Sequence, residues 1–201
     1  MLNQRRRLEQ QVEMAGRLPP GQSLTRRFPV LHHGSVPQPD LQTWTLRTFG
    51  LVEQEQVWGW DEFMALPMTE ITCDIHCVTR WSKFDTVWEG LSFRKLVELA
   101  GVKAEAKFVI AHCEQGYTTN LPLEAMLEND VLLAHSFDRE FLSPEHGFPL
   151  RTLVPQRYFW KSAKWLRAIE FSAEDRPGFW EKGGYHNEGD PWREQRFRSA
   201  S

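Results

Sequence analysis

The sequence predicts an α+β domain of short mixed sheets, few helices and long irregular arms. Three observations carry that expectation. Short stretches with strand-like alternation recur along the chain, and the helical segments between them stand alone. No steady strand–helix alternation joins them, so a doubly wound parallel sheet is not expected. Proline and glycine collect towards both ends, as at Pro19-Pro20-Gly21, Pro29, Pro37, Pro39, Gly178, Gly183-Gly184 and Pro191. With 201 residues, 41% of them hydrophobic, the chain can bury one sizeable core. The expected division is a basic, flexible segment over 1–18, one domain over 19–192 and a tail over 193–201.

Residues up to about Pro39 lack periodicity and read as an exposed basic start followed by an extended arm lying on the domain. Regular structure begins at Trp44, where Trp44, Leu46 and Thr48 alternate with Thr45, Arg47 and Phe49 before Gly50. Asp61 is placed to cap a short helix that stops before Pro67. From Met68 to Val78, Ile71, Cys73, Ile75 and Cys77 point one way and Thr72, Asp74 and His76 the other. Ser92 opens a helix through Phe93, Leu96, Val97 and Ala100 that Gly101 ends. Phe108–Cys113 reads as a buried strand, Pro122 opens a further short helix, and Val131–His135 is another strand. Two late strands are expected at Arg151–Pro155 and Trp165–Phe171, then a long irregular tail wrapped on the surface.

A net charge of −3 argues against a general nucleic-acid binder. No run approaches the ~18 apolar residues of a membrane span. Arg5-Arg6-Arg7 is followed by a mixed polar stretch rather than the apolar core of a secretory signal, so a cytoplasmic location is expected.

The three cysteines, Cys73, Cys77 and Cys113, are too few and too odd in number for a disulfide framework. They can ligate metal or pack as small hydrophobes. Zinc fits poorly. Cys73 and Cys77 share a strand face but lie about 13 Å apart on an extended strand, and there is no CxxC pair. A cysteine nucleophile with His76 or His112 as base and Asp74 as orienter is a second option, although His76 faces away from Cys77 on an extended strand. The stretch Cys77-Val78-Thr79-Arg80-Trp81-Ser82 favours a third: a soft thiolate at a loop tip beside a cation suits a soft high-valent metal or an anion. Further along, His146-Gly147-Phe148-Pro149-Leu150-Arg151 and Lys161-Ser162-Ala163-Lys164 gather Arg151, Arg157, Lys161 and Lys164 with small residues around a turn. Such a set can grip a phosphate or simply be a solvated basic surface.

The segment Asp74-Ile75-His76-Cys77-Val78-Thr79-Arg80-Trp81-Ser82, followed by Trp88-Glu89-Gly90, resembles the metal loop of the oxidoreductase molybdopterin-binding family, which includes sulfite oxidases and the methionine-sulfoxide reductase catalytic subunit. The resemblance runs from about Pro19 to Trp192, through Gly116-Tyr117-Thr118-Thr119-Asn120-Leu121-Pro122 and the short free-standing branch's ending Gly178-Phe179-Trp180-Glu181 and Gly184-Tyr185-His186. It implies a sulfite-oxidase-type fold and a Mo-molybdopterin cofactor, one molybdenum per chain, with Cys77 as metal ligand. By the same resemblance His146 and Arg151 hold the pterin and its phosphate, Ser162, Ala163 and Lys164 supply the cradle, and Cys113 sits near the pterin. The arm Phe28-Pro29-Val30-Leu31-His32-His33-Gly34 covers the cofactor, with His33 the first contact and His32 the second. Arg80 and Tyr117 admit substrate.

Set against the pattern, neither a haem domain, nor a C-terminal dimerisation sandwich, nor an export signal is expected. Phe137-Asp138-Arg139-Glu140 stands where an Asp-Gly turn is expected, so that loop is expected to be reshaped. The expected function is two-electron oxygen-atom transfer to or from a small substrate, with electrons passed to an external carrier or redox partner protein. The rivals are a non-catalytic molybdopterin carrier and an interaction domain that keeps only the fold.

Overall fold

The computed structural model describes residues 4, 7, 8, 10–12 and 16–198. The expected basic start at Arg5-Arg6 and the end of the expected tail, 199–201, lie outside the described residues. Eleven strands fall into two sheets among the described residues.

The first sheet is organised by β5 (Trp81–Ser92), a 12-residue strand. Antiparallel β4 (Met68–His76) pairs with it, as does antiparallel β8 (Leu132–Phe137), and parallel β1 (Ser23–Leu24) joins at Trp81 and Ser82. Strands β9 (Glu140–Phe141) and β10 (Arg151–Leu153) extend the sheet from β8. Gly90 of β5 is required by close approach, because a Cβ there would meet the Leu133 carbonyl oxygen at 2.1 Å. The second sheet runs β3 (Gln56–Gly59), β2 (Thr45–Gly50), β11 (Leu166–Ser172), β6 (Phe108–Cys113) and β7 (Thr118–Pro122). All its pairings are antiparallel except β2 with β11.

The helices are short: α1 (Trp60–Met64), α2 (Phe93–Ala100), α3 (Leu123–Met126) and α4 (Phe179–Lys182). Helix α2 lays Phe93, Leu96 and Ala100 on the core and stops at Gly101, whose φ of 60° is the left-handed cap that glycine allows. Capping of α1 differs from expectation. Gly59 is the cap and Asp61 lies inside the first turn, with the Glu62 carboxylate accepting the Gly59 N–H at 2.8 Å. One core holds Leu46, Phe63, Leu96, Val109 and Ile169 against the second sheet. A second core, under β4 and β5, gathers Ile75, Cys77, Trp88 and Phe159, with Ile71 and Cys73 from the same strand face. The arm's Phe28 seals it, stacked on His146 at 3.9 Å between ring centres.

Two expectations are corrected here. The turn at Asp138-Arg139 is not reshaped. Both residues adopt positive φ, 49° and 67°, so the chain makes the tight β8–β9 hairpin without a glycine. The late segment is more than a surface wrap. Glu181 on α4 is wholly buried, and Arg196 is 6% exposed.

Candidate active site

A cavity of about 330 Å³ opens where the two sheets, the N-terminal arm and the late segment meet. Its floor is the β4–β5 turn. Cys77 leaves β4 with its N–H donated to the Trp81 carbonyl at 2.8 Å, and the Arg80 N–H returns to the Cys77 carbonyl at 3.0 Å. The tight turn places Cys77, Val78 and Thr79 on the cavity wall. The Cys77 Sγ lies 3.1 Å from Thr79 Oγ1. Burial pushes the thiol's pKa up, while the Thr79 hydrogen bond, Arg196 and Lys164 work the other way.

The opposite wall is cationic. Arg151 is fully buried, and its guanidinium donates to the carbonyls of His146 at 2.8 Å, Ser162 at 2.7 Å and Thr152 at 3.3 Å. Its ring neighbour Phe159 lies 4.3 Å beneath the charge. Among the described residues no carboxylate forms an ion pair with it, and burial lowers its pKa to about 9. Half-buried Lys164 joins it, donating to the carbonyls of Leu31 at 2.8 Å and Glu145 at 2.5 Å. Burial first and Arg151 second lower its pKa to about 7. The bond to Leu31 ties down the arm, which brings His32 and His33 to the cavity. His33 packs on Phe179 at 4.4 Å and His32 edges Trp165 at 5.7 Å.

The structure therefore brings Cys77, Tyr117, His32, His33, Arg151, Ser162, Ala163 and Lys164 together around one cavity. It does not bring Arg80, Cys113 or His146 to that wall. Arg80 closes the turn with φ of 71°, and its exposed guanidinium lies against Gly21, 3.5 Å from that carbonyl. Cys113 is buried in the first core, where desolvation drives its thiol far above the ordinary range. His146 bonds Ser143 and stacks on Phe28, serving Arg151 through its carbonyl. Of the cradle expected at Ser162, Ala163 and Lys164, the Ser162 and Ala163 N–H groups go to the Phe159 carbonyl and Thr152 Oγ1. Lys161, expected with the anion-binding cations, is instead buried in an ion pair with Glu181 at 2.7 Å. Among the described residues no three His, Cys, Asp or Glu side chains form a metal-holding group, which leaves the zinc reading without a cage.

Sequence reasoning assigned no role to the aromatic residues of the late segment. Phe179, Trp180 and Tyr185 line the cavity, with Tyr185 ring to ring against Trp180 at 4.9 Å and Trp160 at 5.1 Å. Burial and the nearby Cys77 raise the Tyr185 pKa, so its hydroxyl keeps its proton at neutral pH. Tyr117 donates its hydroxyl to the Trp160 carbonyl at 3.0 Å.

Residues 33–180 match the oxidoreductase molybdopterin-binding domain. The chain belongs to that family. It is 52% identical over 188 residues to the oxidoreductase YuiH of Bacillus subtilis, covering 93% of this chain and 95% of that one. It is 27% identical over 157 residues to the protein-methionine-sulfoxide reductase catalytic subunit MsrP of Campylobacter jejuni, covering 70% of this chain and 52% of that one. The sulfane dehydrogenase SoxCD of Paracoccus pantotrophus superposes with a TM-score of 0.65 at 25% identity, over 71% of this chain and 41% of that one. The α+β, sulfite-oxidase-type fold expected from the resemblance is thus the fold observed, and this family member is a molybdopterin-dependent oxidoreductase. No helix among its described residues is long and apolar enough to cross a membrane.

Proposed function

We propose that the cavity holds Mo-molybdopterin with Cys77 as the protein ligand of one molybdenum per chain, and that oxygen-atom transfer to or from a small substrate takes place there. The observation that carries this reading is Arg151. A fully buried guanidinium without a carboxylate partner is costly, and it stands on the wall of the cavity that Cys77 lines. An anionic ligand with a soft metal meets both needs at once. The donor set fits the cofactor further in Trp81, whose indole Nε1 is buried without a partner beside the same cavity.

In this reading Arg151 and Lys164 hold the cofactor's phosphate, His33 and His32 close over it from the arm, and Ser162 and Ala163 leave it space. The bound cofactor would supply the two-electron couple. Tyr185 offers a protonated hydroxyl to a substrate oxygen, while Tyr117, its own proton committed to Trp160, shapes the entrance. The rings of Trp160, Phe179 and Trp180 exclude water from that space. Electrons leave to an external carrier or redox partner protein.

Metal and pterin analysis of protein made in a molybdopterin-producing host tests this. The expected result is close to one molybdenum per chain, and stoichiometric zinc without molybdenum overturns the reading. Cys77→Ala is expected to abolish turnover and change the Mo(V) electron-spin signal while keeping most of the pterin, because affinity comes from many contacts and the sulfur supplies one bond. If that variant keeps the wild-type signal and rate while Cys113→Ala loses both, Cys113 is the ligand.

A further inference from the structure

Side chains from opposite ends of the chain bond two carbonyls of the turn that carries Cys77: that of Val78 and that of Cys77, which already accepts the Arg80 N–H. Gln22 Nε2 donates to the Cys77 carbonyl at 3.0 Å. Arg196 Nη1 donates to the Val78 carbonyl at 2.6 Å, and its Nη2 reaches the Pro20 carbonyl at 3.3 Å and Glu194 at 3.4 Å. Both side chains are more than nine-tenths buried. The Tyr158 ring lies under the Arg196 guanidinium at 4.8 Å, so the fork is held flat. Gly21 makes the meeting possible: a Cβ there would stand 2.5 Å from Glu194 Oε1, 2.9 Å from Arg80 Nη1 and 3.2 Å from Arg196 Nη2. Gln22 and Arg196 both lie outside residues 33–180, the span shared with the family at large.

We propose that Arg196 is a positioning residue for the metal-ligand turn, gripping the Val78 carbonyl while Gln22 grips that of Cys77, so that the turn's carbonyls are held away from the cavity and the sulfur is fixed towards it. The assignment of the sulfur to the metal rests on the function proposed above, whereas the grip on the turn does not. Arg196 reaches Val78 through Nη1 and Pro20 through Nη2, two donors fixed in one plane, whereas a lysine would have to serve both carbonyls from one flexible nitrogen.

Amide hydrogen exchange on the cofactor-free full-length chain tests the grip. In Arg196→Ala the amides of Cys77 and Arg80, which close the turn, are expected to exchange about tenfold faster or more, while those of Val109–Ala111 in β6 stay unchanged. Arg196→Lys is expected to recover only part of the loss. If Arg196→Ala does not fold, Gln22→Ala serves, with the same local acceleration expected at Cys77. Turn amides that exchange at the wild-type rate in the folded variant overturn the proposal. In cofactor-loaded protein the same variants are expected to keep their molybdenum but shift the Mo(V) electron-spin signal. Faster exchange with an unshifted signal, together with a Cys77→Ala variant that keeps the wild-type signal, leaves the grip standing and removes Cys77 as ligand.

Discussion

Two cations, Arg151 and Lys161, are both wholly buried in the same late stretch of chain, and they live in opposite electrostatic worlds. Lys161 is neutralised from within. Its ammonium meets Glu181 at 2.7 Å and the Asn120 carbonyl at 2.7 Å, and the same Glu181 oxygen accepts from Trp160 Nε1 at 2.9 Å and Thr119 at 3.1 Å. Arg151 has carbonyl oxygens and the rings of Phe159 and Trp88 around it, with no carboxylate partner among the described residues. A charge matched from within serves the structure, and the charge without such a match is the one proposed above to meet a ligand. The Lys161 network fastens α4, and with it Trp180 and Tyr185, beneath the cavity; Arg151 faces what the cavity receives.

The sharpest way to break this contrast is Glu181→Gln. Leaving Lys161 buried and unpaired is expected to cost about 3–5 kcal/mol in chemical denaturation of the cofactor-free protein. A loss under about 1 kcal/mol shows that the pair is not the anchor of α4.

Arg151→Met keeps volume and removes the charge. Cofactor-free stability is expected to change by less than about 1.5 kcal/mol, while cofactor occupancy falls at least about tenfold and the melting temperature of the loaded protein falls with it. Unchanged pterin content in this variant and in Lys164→Ala makes both residues part of a bland polar wall.

The smallest effect is a pH dependence. The folded-state pKa of Lys164 is lowered to about 7 from 10.5, so between those values the unfolded chain binds more protons than the folded one. Stability of the cofactor-free protein therefore rises as pH climbs through that window, the penalty being complete below it and absent above. Lys164 is partly solvated, which shrinks the gain. Urea titrations at pH 7 and pH 10 check the sign, Lys164→Met should flatten the slope, and a bound phosphate should reduce it.

How far the sequence could be read follows the same division between local and distant causes. Phe108–Cys113 was legible to the residue because a short, largely apolar run between Lys107 and Glu114 writes its own boundaries. Helix α2 was legible through the pattern ending at Gly101. Strand β5, the centre of the first sheet, was not. Lys83, Asp85 and Glu89 interrupt it, and register shifts between Cys73 and Ile75 on β4 and between Glu89 and Gly90 on β5 break the period of two. The stretch Cys77–Ser82 read as a loop tip, yet Trp81 and Ser82 are already paired in the sheet. At the site, Cys77, Arg151 and Lys164 belong to compact motifs, and all three line the cavity. Tyr185 and Trp180 were not given a role because their placement depends on Glu181 meeting Lys161 and Thr119, contacts 20 and 62 residues apart with no local trace. Arg80 stands off the cavity wall for a conformational reason: a positive φ at the turn's last residue sets its side chain beside the arm.

The joint at Arg196 ties the turn to both ends of the chain. It links Val78 and Pro20 to a residue 118 and 176 positions further along. Closing loops of such length costs the unfolded chain more entropy than closing a hairpin. Loss of contacts at either end is therefore expected to loosen the same turn, so that fraying far from the cavity is felt at Cys77 although neither Gln22 nor Arg196 lines it.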